Sequence, residues 1–190
     1  MLMVGCANVS HDSVTQDTNK KTIAVMPLDN QTNSVAGVLY MREEMVELLK
    51  NKGYKPMSIS ETDQQLANQF GISLGGQIAV DDIPKIATAL GVDAIMTGRL
   101  RNFEAVLMSY NQVSASFTMY GVNAQVLWTY DDAVSQPFSP LRNEDIGTQI
   151  IGGLLSNVLD RSVGRPLRGT VAEFYQRLQY SLPSGWKRNY

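Results

Sequence analysis

The sequence predicts one α/β domain, of mixed α+β type, in which helices pack on a central mixed sheet of about five strands. Two observations carry this prediction: a strand, helix, strand order in the first sixty residues, and long apolar–polar alternation at 113–129. At 190 residues the chain has the length of one domain, which can bury a sufficient core without disulfides or metal. We expect the domain at 22–182, an N-terminal segment at 1–21 and a loose tail at 183–190.

A β-α-β unit opens the domain. Residues 22–28 form a short apolar run that closes at Pro27, which is the pattern of a buried strand. From Val38 the apolar residues recur every three or four positions up to Gly53, which predicts an amphipathic helix. Residues 54–59 are the second strand. Because a helix joins the two strands, we expect them to be parallel, with a right-handed crossover.

Two helices and a third strand follow this unit. Ser60 is the expected N-cap of the first helix. Asp81 or Asp82 is the expected N-cap of the second helix, which ends at Gly91. Residues 92–100 then form the third strand.

The second half of the domain combines antiparallel strands with helices. The alternation at 113–129 predicts two strands with one drier face, separated by a bulge or bend at Gly121, and Asp131 and Asp132 fall in a polar loop. A broad apolar face predicts a helix at 144–163.

The last helix is expected to open at Thr170, because Thr170 and Glu173 have the spacing of a capping box.

Composition excludes several classes of function. The 16 basic and 18 acidic residues are mixed along the chain, so no one-sided basic surface is expected and nucleic acid is not a predicted partner. Cys6 and His11 are the single cysteine and the single histidine, so the chain cannot build a Cys/His zinc cluster or an intramolecular disulfide. No apolar run approaches the roughly 20 residues of a membrane-spanning helix. We expect no enzymatic activity and no cofactor.

The N-terminal residues carry a lipidation motif. Met3, Val4 and Gly5 precede Cys6, and this tetrapeptide resembles the lipobox of bacterial lipoproteins, although leucine is commoner where Met3 stands. The resemblance implies a covalent lipid on Cys6, and Ala7 in place of aspartate after it favours the outer membrane. The alternative is that Cys6 is an incidental free thiol.

Five residues before the cysteine are too few for the charged region and apolar core of a signal peptide, so we expect further residues upstream. Residues 7–22 are rich in small polar side chains and predict a flexible tether, with a root-mean-square span of about 20 Å.

Two further segments resemble a known family. Residues 23–30 (Ile-Ala-Val-Met-Pro-Leu-Asp-Asn) resemble the opening of the curli-secretion lipoprotein (CsgG) group, which also includes the amino-terminal domain of TolB and outer-membrane activators of penicillin-binding proteins. Residues 89–98 (Ala-Leu-Gly-Val-Asp-Ala-Ile-Met-Thr-Gly) are similar to another segment of that group. The similarity covers about residues 22–130 and is greatest to the small lipoproteins of the group. It implies a fold and an envelope location, and it brings no catalytic residues.

Three other features each have two interpretations. The segment 71–76 suggests a phosphate loop but lacks its Gly-Lys-Ser/Thr ending, so a flexible connector is preferred. The pairs Asp81–Asp82 and Asp131–Asp132 would suit metal or acid–base chemistry, but a helix cap and a polar turn also explain them. Four aromatic residues on the antiparallel strands form either a ligand platform or ordinary packing. They are Tyr110, Tyr120, Trp128 and Tyr130.

Two functional hypotheses remain. In the first, the protein is a membrane-anchored, non-catalytic component of an envelope assembly that serves secretion, transport or the cell wall. It would meet other envelope proteins or a second copy through a sheet edge or through the helix face that contains Gly152 and Gly153. In the second, it is a periplasmic binding module for peptidoglycan, a peptide or a small ligand.

Overall fold

The computed structural model describes residues 20–106, 109–137 and 166–185. In these ranges the strands form one mixed sheet in the order β3-β1-β4-β5-β6, with β2 also beside β4. The strands are β1 (Thr22–Val25), β2 (Asp29–Asn30), β3 (Lys55–Pro56), β4 (Ala94–Val106), β5 (Tyr110–Gly121) and β6 (Val126–Pro137). The helices are α1 (Val35–Asn51), α2 (Ile59–Phe70), α3 (Ile83–Leu90) and α4 (Pro166–Ser181), with 3-10 turns at Gly75–Gln77 and Val80–Asp82. The predicted mixed sheet with helices packed on it is confirmed.

The parallel half of the sheet has helices on both faces. β1 pairs in parallel with β3 on one side and with β4 on the other, which confirms the parallel β-α-β unit. Ile23 and Val25 pack with α1, whereas Ala24 and Met26 pack with α2 and α3, because successive strand residues point to opposite faces. The continuous apolar run of β1 is therefore explained by burial on both faces.

The antiparallel half of the sheet has one apolar face and one polar face. The apolar residues of β5, among them Ala115, Phe117 and Met119, pack in the core that also contains α1 and α4. The alternate residues Ser116 and Thr118 point to the opposite face, which is polar. Alternation at 113–119 predicted this division between a dry and a wet face correctly.

Tertiary contacts place the ends of two strands at residues other than those the sequence predicted. Asp131 and Asp132 lie within β6 and not in a loop, because β6 continues its antiparallel pairing with β5 as far as Pro137. Gly121 ends β5 in a hairpin turn, where its N–H donates to the carbonyl of Gln125 at 2.9 Å, so β6 starts at Val126.

Of three predicted helix caps, two are corrected and one is confirmed in position. Ser58, and not Ser60, caps α2 by accepting from the N–H of Glu61 at 3.2 Å, because β3 is only two residues long. Asp82 is the N-cap residue of α3, one of the two predicted, but its side chain makes no capping bond. Thr170 lies inside α4, where its hydroxyl donates to the side chain of Gln136 on β6 at 3.0 Å and so serves a tertiary contact.

The remaining predictions fall elsewhere in the chain. Cys6 with its lipobox, the tether, and the helix at 144–163 with Gly152 and Gly153 all lie outside the described residues. Of the helices in the described ranges, none combines the length and the apolar character that spanning a membrane requires.

A buried arginine completes the edge of β1. The carbonyl of Ile23 accepts from the N–H of Met57 at 2.8 Å, but the two residues of β3 do not extend to the carbonyl of Val25. Arg42 of α1 replaces the missing strand: its Nε and Nη2 donate to that carbonyl at 3.1 and 2.7 Å. The same guanidinium makes a bidentate pair with Asp63 of α2, at 2.9 and 2.7 Å. Arg42 thus connects β1 to the helices of both faces.

A half-buried cluster of ionisable side chains lies where α1 meets Arg168 and Tyr175 of α4. Burial, together with the carboxylates of Glu47 and Glu43, raises the pKa of the Glu44 side chain to about 7, against the opposing effect of a hydrogen bond with Tyr40. Burial also raises the pKa of the Tyr40 hydroxyl to about 12. Glu44 therefore changes its charge near neutral pH in the folded protein.

We expect Arg42→Met to lower the free energy of unfolding by about 2–4 kcal/mol, because the carbonyl of Val25 loses both its donors and Asp63 loses its partner. The control is Lys50→Met on the same helix. Lys50 is 51% exposed and, among the described residues, its ion pair is with Glu47, so this change should cost at most about 0.5 kcal/mol. Urea unfolding followed by circular dichroism measures both. Equal losses in the two variants would contradict the role given to Arg42.

We expect the stability of the protein to fall as pH rises from about 4.5 to 7. The pKa of Glu44 is higher in the folded state than in the unfolded chain, so its contribution is complete below about 4.5 and is lost as pH rises through about 7. The loss is on the order of 1–3 kcal/mol. Glu44→Gln should flatten this slope, and Glu104→Gln, at an exposed position on β4, should leave it intact. Unfolding curves at several pH values measure how the free energy of unfolding depends on pH. If this dependence were unchanged in Glu44→Gln, Glu44 would not be its cause.

Candidate functional site

A polar cleft of about 310 Å³ lies at the carboxyl end of β1, on the polar face of the sheet. From β1 the chain moves to β3 on one side through α1, and from β3 it returns to β4 on the other side through α2 and α3. In open α/β sheets, ligands bind at the carboxyl ends of strands where the strand order reverses in this way. The position of the cleft is therefore that of a ligand site.

The floor of the cleft is the polar face of two neighbouring strands. Thr97 of β4 and Ser116, Thr118 and Tyr120 of β5 line it. Thr97 donates to the backbone carbonyl of Thr118 at 3.4 Å. In the part of the chain that the structure describes, the hydroxyls of Ser116 and Thr118 have no hydrogen-bond partner, so both are available to a ligand.

The opposite wall is the turn at Gly75–Gln77. The side-chain carbonyl of Gln77 accepts from the N–H groups of Ser73 and Leu74 at 2.9 and 2.8 Å, which fixes the turn. Gly75 lies directly against the backbone of Leu28 and Asp29, and a Cβ at this position would clash with it. The sequence predicted a flexible connector here. The structure instead shows a defined turn, because the glycine allows close backbone packing.

One ion pair forms the rim of the cleft. Asp29 of β2 and Arg99 of β4 are paired in register, and the Nε of Arg99 donates to a carboxylate oxygen of Asp29 at 2.7 Å. They are the two charged side chains among the residues that line the cleft, so their charges cancel. Within the described ranges the terminal nitrogens of Arg99 have no protein partner, which leaves four N–H donors for a ligand.

The four aromatic residues singled out in the sequence do not share one face. Tyr120 lines the cleft, while Trp128 and Tyr130 stack on each other on the opposite face, with ring centroids 6.0 Å apart. Tyr130 also makes an edge-on contact with Phe174 of α4 at 5.6 Å. Tyr110 lies at the other end of β5, opposite Pro137. A platform of all four residues does not form.

The acidic pairs are also separated. Asp131 and Asp132 point to opposite faces of β6: Asp131 pairs with Arg101, while Asp132 accepts from the hydroxyl of Tyr130 at 2.9 Å and lies 3.5 Å from Arg177. Asp81 and Asp82 lie in the short turn before α3. In the described ranges, no group of three or more Asp, Glu, His or Cys residues is arranged to hold a metal ion.

The sequence contained a partial signal for the cleft. The polar alternation at 114–118 marked the wet face, and Asp29 lies in the first family-like segment. The pairing of Asp29 with Arg99, seventy residues later, and the approach of Gly75 to β2 have no local signal in the sequence.

Comparison with known proteins defines the fold. No protein-family model and no curated protein sequence matches the chain. Among solved structures, lipoprotein GNA1162 from Neisseria meningitidis is similar with a TM-score of 0.56 and 20% identity, over 65% of this chain and 88% of that one. Weaker likenesses are to the hypothetical protein CT253 of Chlamydia trachomatis and to the C-terminal domain of LpoB from Salmonella enterica. Their TM-scores are 0.48 and 0.46 and their identities 14% and 18%, over 85% and 66% of this chain and 97% and 87% of theirs.

The fold is therefore one that a bacterial lipoprotein also adopts. The narrower grouping with the CsgG and TolB proteins stays a prediction.

We expect Gly75→Ala to lower the free energy of unfolding by about 1–3 kcal/mol, because the added methyl group clashes with the backbone of Leu28 and Asp29. Gly76→Ala is the control. A Cβ there lies 3.3 Å from a carboxylate oxygen of Asp29, which a small side-chain shift relieves. Thermal unfolding compares the two variants. If Gly76→Ala proved as destabilising as Gly75→Ala, the turn would not depend on this contact.

Proposed function

We propose that this protein is a lipid-anchored lipoprotein of the bacterial cell envelope that works without catalysis, as a component of an envelope assembly. The observation that carries the proposal is the fold shared with lipoprotein GNA1162, in a chain that also has a lipobox-like tetrapeptide ending at Cys6. Each of the two observations concerns a different part of the chain, and both favour the same class of protein.

The geometry of the domain suits a tether at its N-terminus. The chain enters the described fold at Lys20 and Lys21, where the N–H of Lys21 donates to the carbonyl of Gly185 at 2.8 Å, and β1 starts at once. Ile23 pairs with Ala94 at this end of β4, whereas Asp29 pairs with Arg99 five residues further along. At about 3.3 Å per residue, the cleft lies roughly 17 Å from the point where the tether enters. The cleft is therefore separate from the end of the sheet at which a tether from Cys6 would join the domain.

The chemistry of the cleft supports a role without catalysis. Its charged side chains, Asp29 and Arg99, are paired with each other. Cys6 and His11 are the single cysteine and histidine of the chain, and both belong to the N-terminal segment before the domain. The cleft thus offers hydrogen-bonding groups to a ligand but no nucleophile with an adjacent base.

Association with other envelope proteins or with a second copy is part of the proposal. β6 is the last strand in the sheet order and runs for 12 residues, and such an edge is a surface to which another strand can pair. An outer-membrane location is also part of the proposal, and Ala7, the residue after the cysteine, favours it by resemblance to other lipoproteins.

We expect the wild-type protein, expressed from its own gene with any upstream residues, to incorporate a clickable palmitate analogue and to fractionate with membranes. Cys6→Ala should incorporate none and should lose the membrane association, because the acyl-bearing glycerol is attached through the Cys6 sulfur. In-gel fluorescence measures the label, with a host lipoprotein in the same sample as the positive control. Absence of label from the wild type, while the host lipoprotein is labelled, would make Cys6 an incidental thiol and would remove the anchor from the proposal.

A further inference from the structure

We propose that the cleft between the polar face of β4 and β5 and the Gly75–Gln77 turn binds a neutral saccharide. The hydroxyls of Ser116 and Thr118 and the Asp29–Arg99 pair would hold the sugar. The inference goes beyond the lipoprotein role and uses no residue of the N-terminal segment.

The size and position of the cleft define what it can hold. A volume of about 310 Å³ is at the lower end of the range found for small-molecule sites, roughly 300–1,000 Å³. The floor of the cleft is the face of β4 and β5, which pair with each other, so a ligand on this floor contacts side chains and adds no strand to them. A mono- or disaccharide, or the end of a longer glycan, fits these limits.

The charge of the cleft favours a neutral ligand. An anion would meet the carboxylate of Asp29 as well as the guanidinium of Arg99, which are joined at 2.7 Å, so the net electrostatic attraction is small. The start of α3 at Ile83 also lines the cleft, and for that reason phosphate is the contrasting probe in the titration. The pair still supplies planar donors and acceptors that recognise a ligand by direction and not by net charge.

The hydrogen-bonding groups of the cleft match sugar hydroxyls, which both donate and accept. Ser116 and Thr118 carry hydroxyls with no partner in the described ranges, and each hydroxyl can donate or accept a hydrogen bond. Arg99 adds donors, and Asp29 adds acceptors. Tyr120 lies beside these groups.

Apolar side chains complete the lining. Ile78 and Val80 lie in the opposite wall, and Val80 is 51% exposed, so an apolar surface faces the polar floor. A sugar ring has hydroxyl groups at its edges and C–H groups on its faces. Its hydroxyls can therefore bind the polar floor while a C–H face packs against Ile78 and Val80.

The test is titration of the full chain, as Cys6→Ala to remove any lipid, with chitobiose and maltose by isothermal calorimetry. Inorganic phosphate is the contrasting probe. We expect saturable binding of at least one disaccharide and none of phosphate. Ser116→Ala and Thr118→Val should each weaken saccharide binding about three- to tenfold, as the loss of one hydrogen bond predicts. Ser135→Ala, on the same sheet face of β6 but outside the cleft, should leave binding unchanged.

Several results would overturn the inference: no saturable binding of either disaccharide, binding of phosphate alone, or equal weakening by Ser135→Ala and Ser116→Ala. Thermal unfolding of each variant separates loss of binding from loss of fold. Co-sedimentation with purified peptidoglycan distinguishes a glycan strand from a free sugar as the source of the ligand. Because every titration is done without lipid, failure here leaves the palmitate result untouched, and failure of the palmitate experiment leaves this one untouched.

Discussion

The guanidinium of Arg42 is the interaction on which the arrangement of the layers depends. It donates to the carbonyl of Val25 at the end of β1, and it pairs with Asp63 on the helix layer of the other face. A β3 of only two residues leaves the carbonyl of Val25 without a strand partner, and a buried cation that makes four hydrogen bonds supplies the missing donors. Because the chain continues from Val25 directly into the segment that contacts Gly75, the position of the cleft wall depends on the same anchor.

The cleft results from the way two kinds of sheet meet. On the parallel side, α2 and α3 cover the face that carries Ala24 and Met26. On the antiparallel side, the same face carries Ser116 and Thr118, and α4 packs on the other face. The helical layer thus ends beside a polar strand surface, and a concave site forms at the junction. The ion pair of Asp29 and Arg99 lies at its rim.

The described domain keeps its half-buried titratable carboxylate apart from its cleft. Glu44, whose pKa of about 7 results mainly from burial, lies between α1 and α4 and not at the cleft, so its titration affects the stability of the domain. The lipid anchor proposed at Cys6 and the cleft use separate residues, so each can be tested without the other.

The sequence by itself determined the elements whose pattern is local: the buried strand that starts at Thr22, the helix stop at Gly91 and the alternation around Phe117. These features follow from periodicity and from backbone preferences within a few residues. Only the tertiary structure decided that Asp131 and Asp132 belong to a strand and that Thr170 lies inside a helix, because their partners come from distant parts of the chain. The cleft has the same origin: its ion pair, its turn and its free hydroxyls meet only after the sheet has set their register.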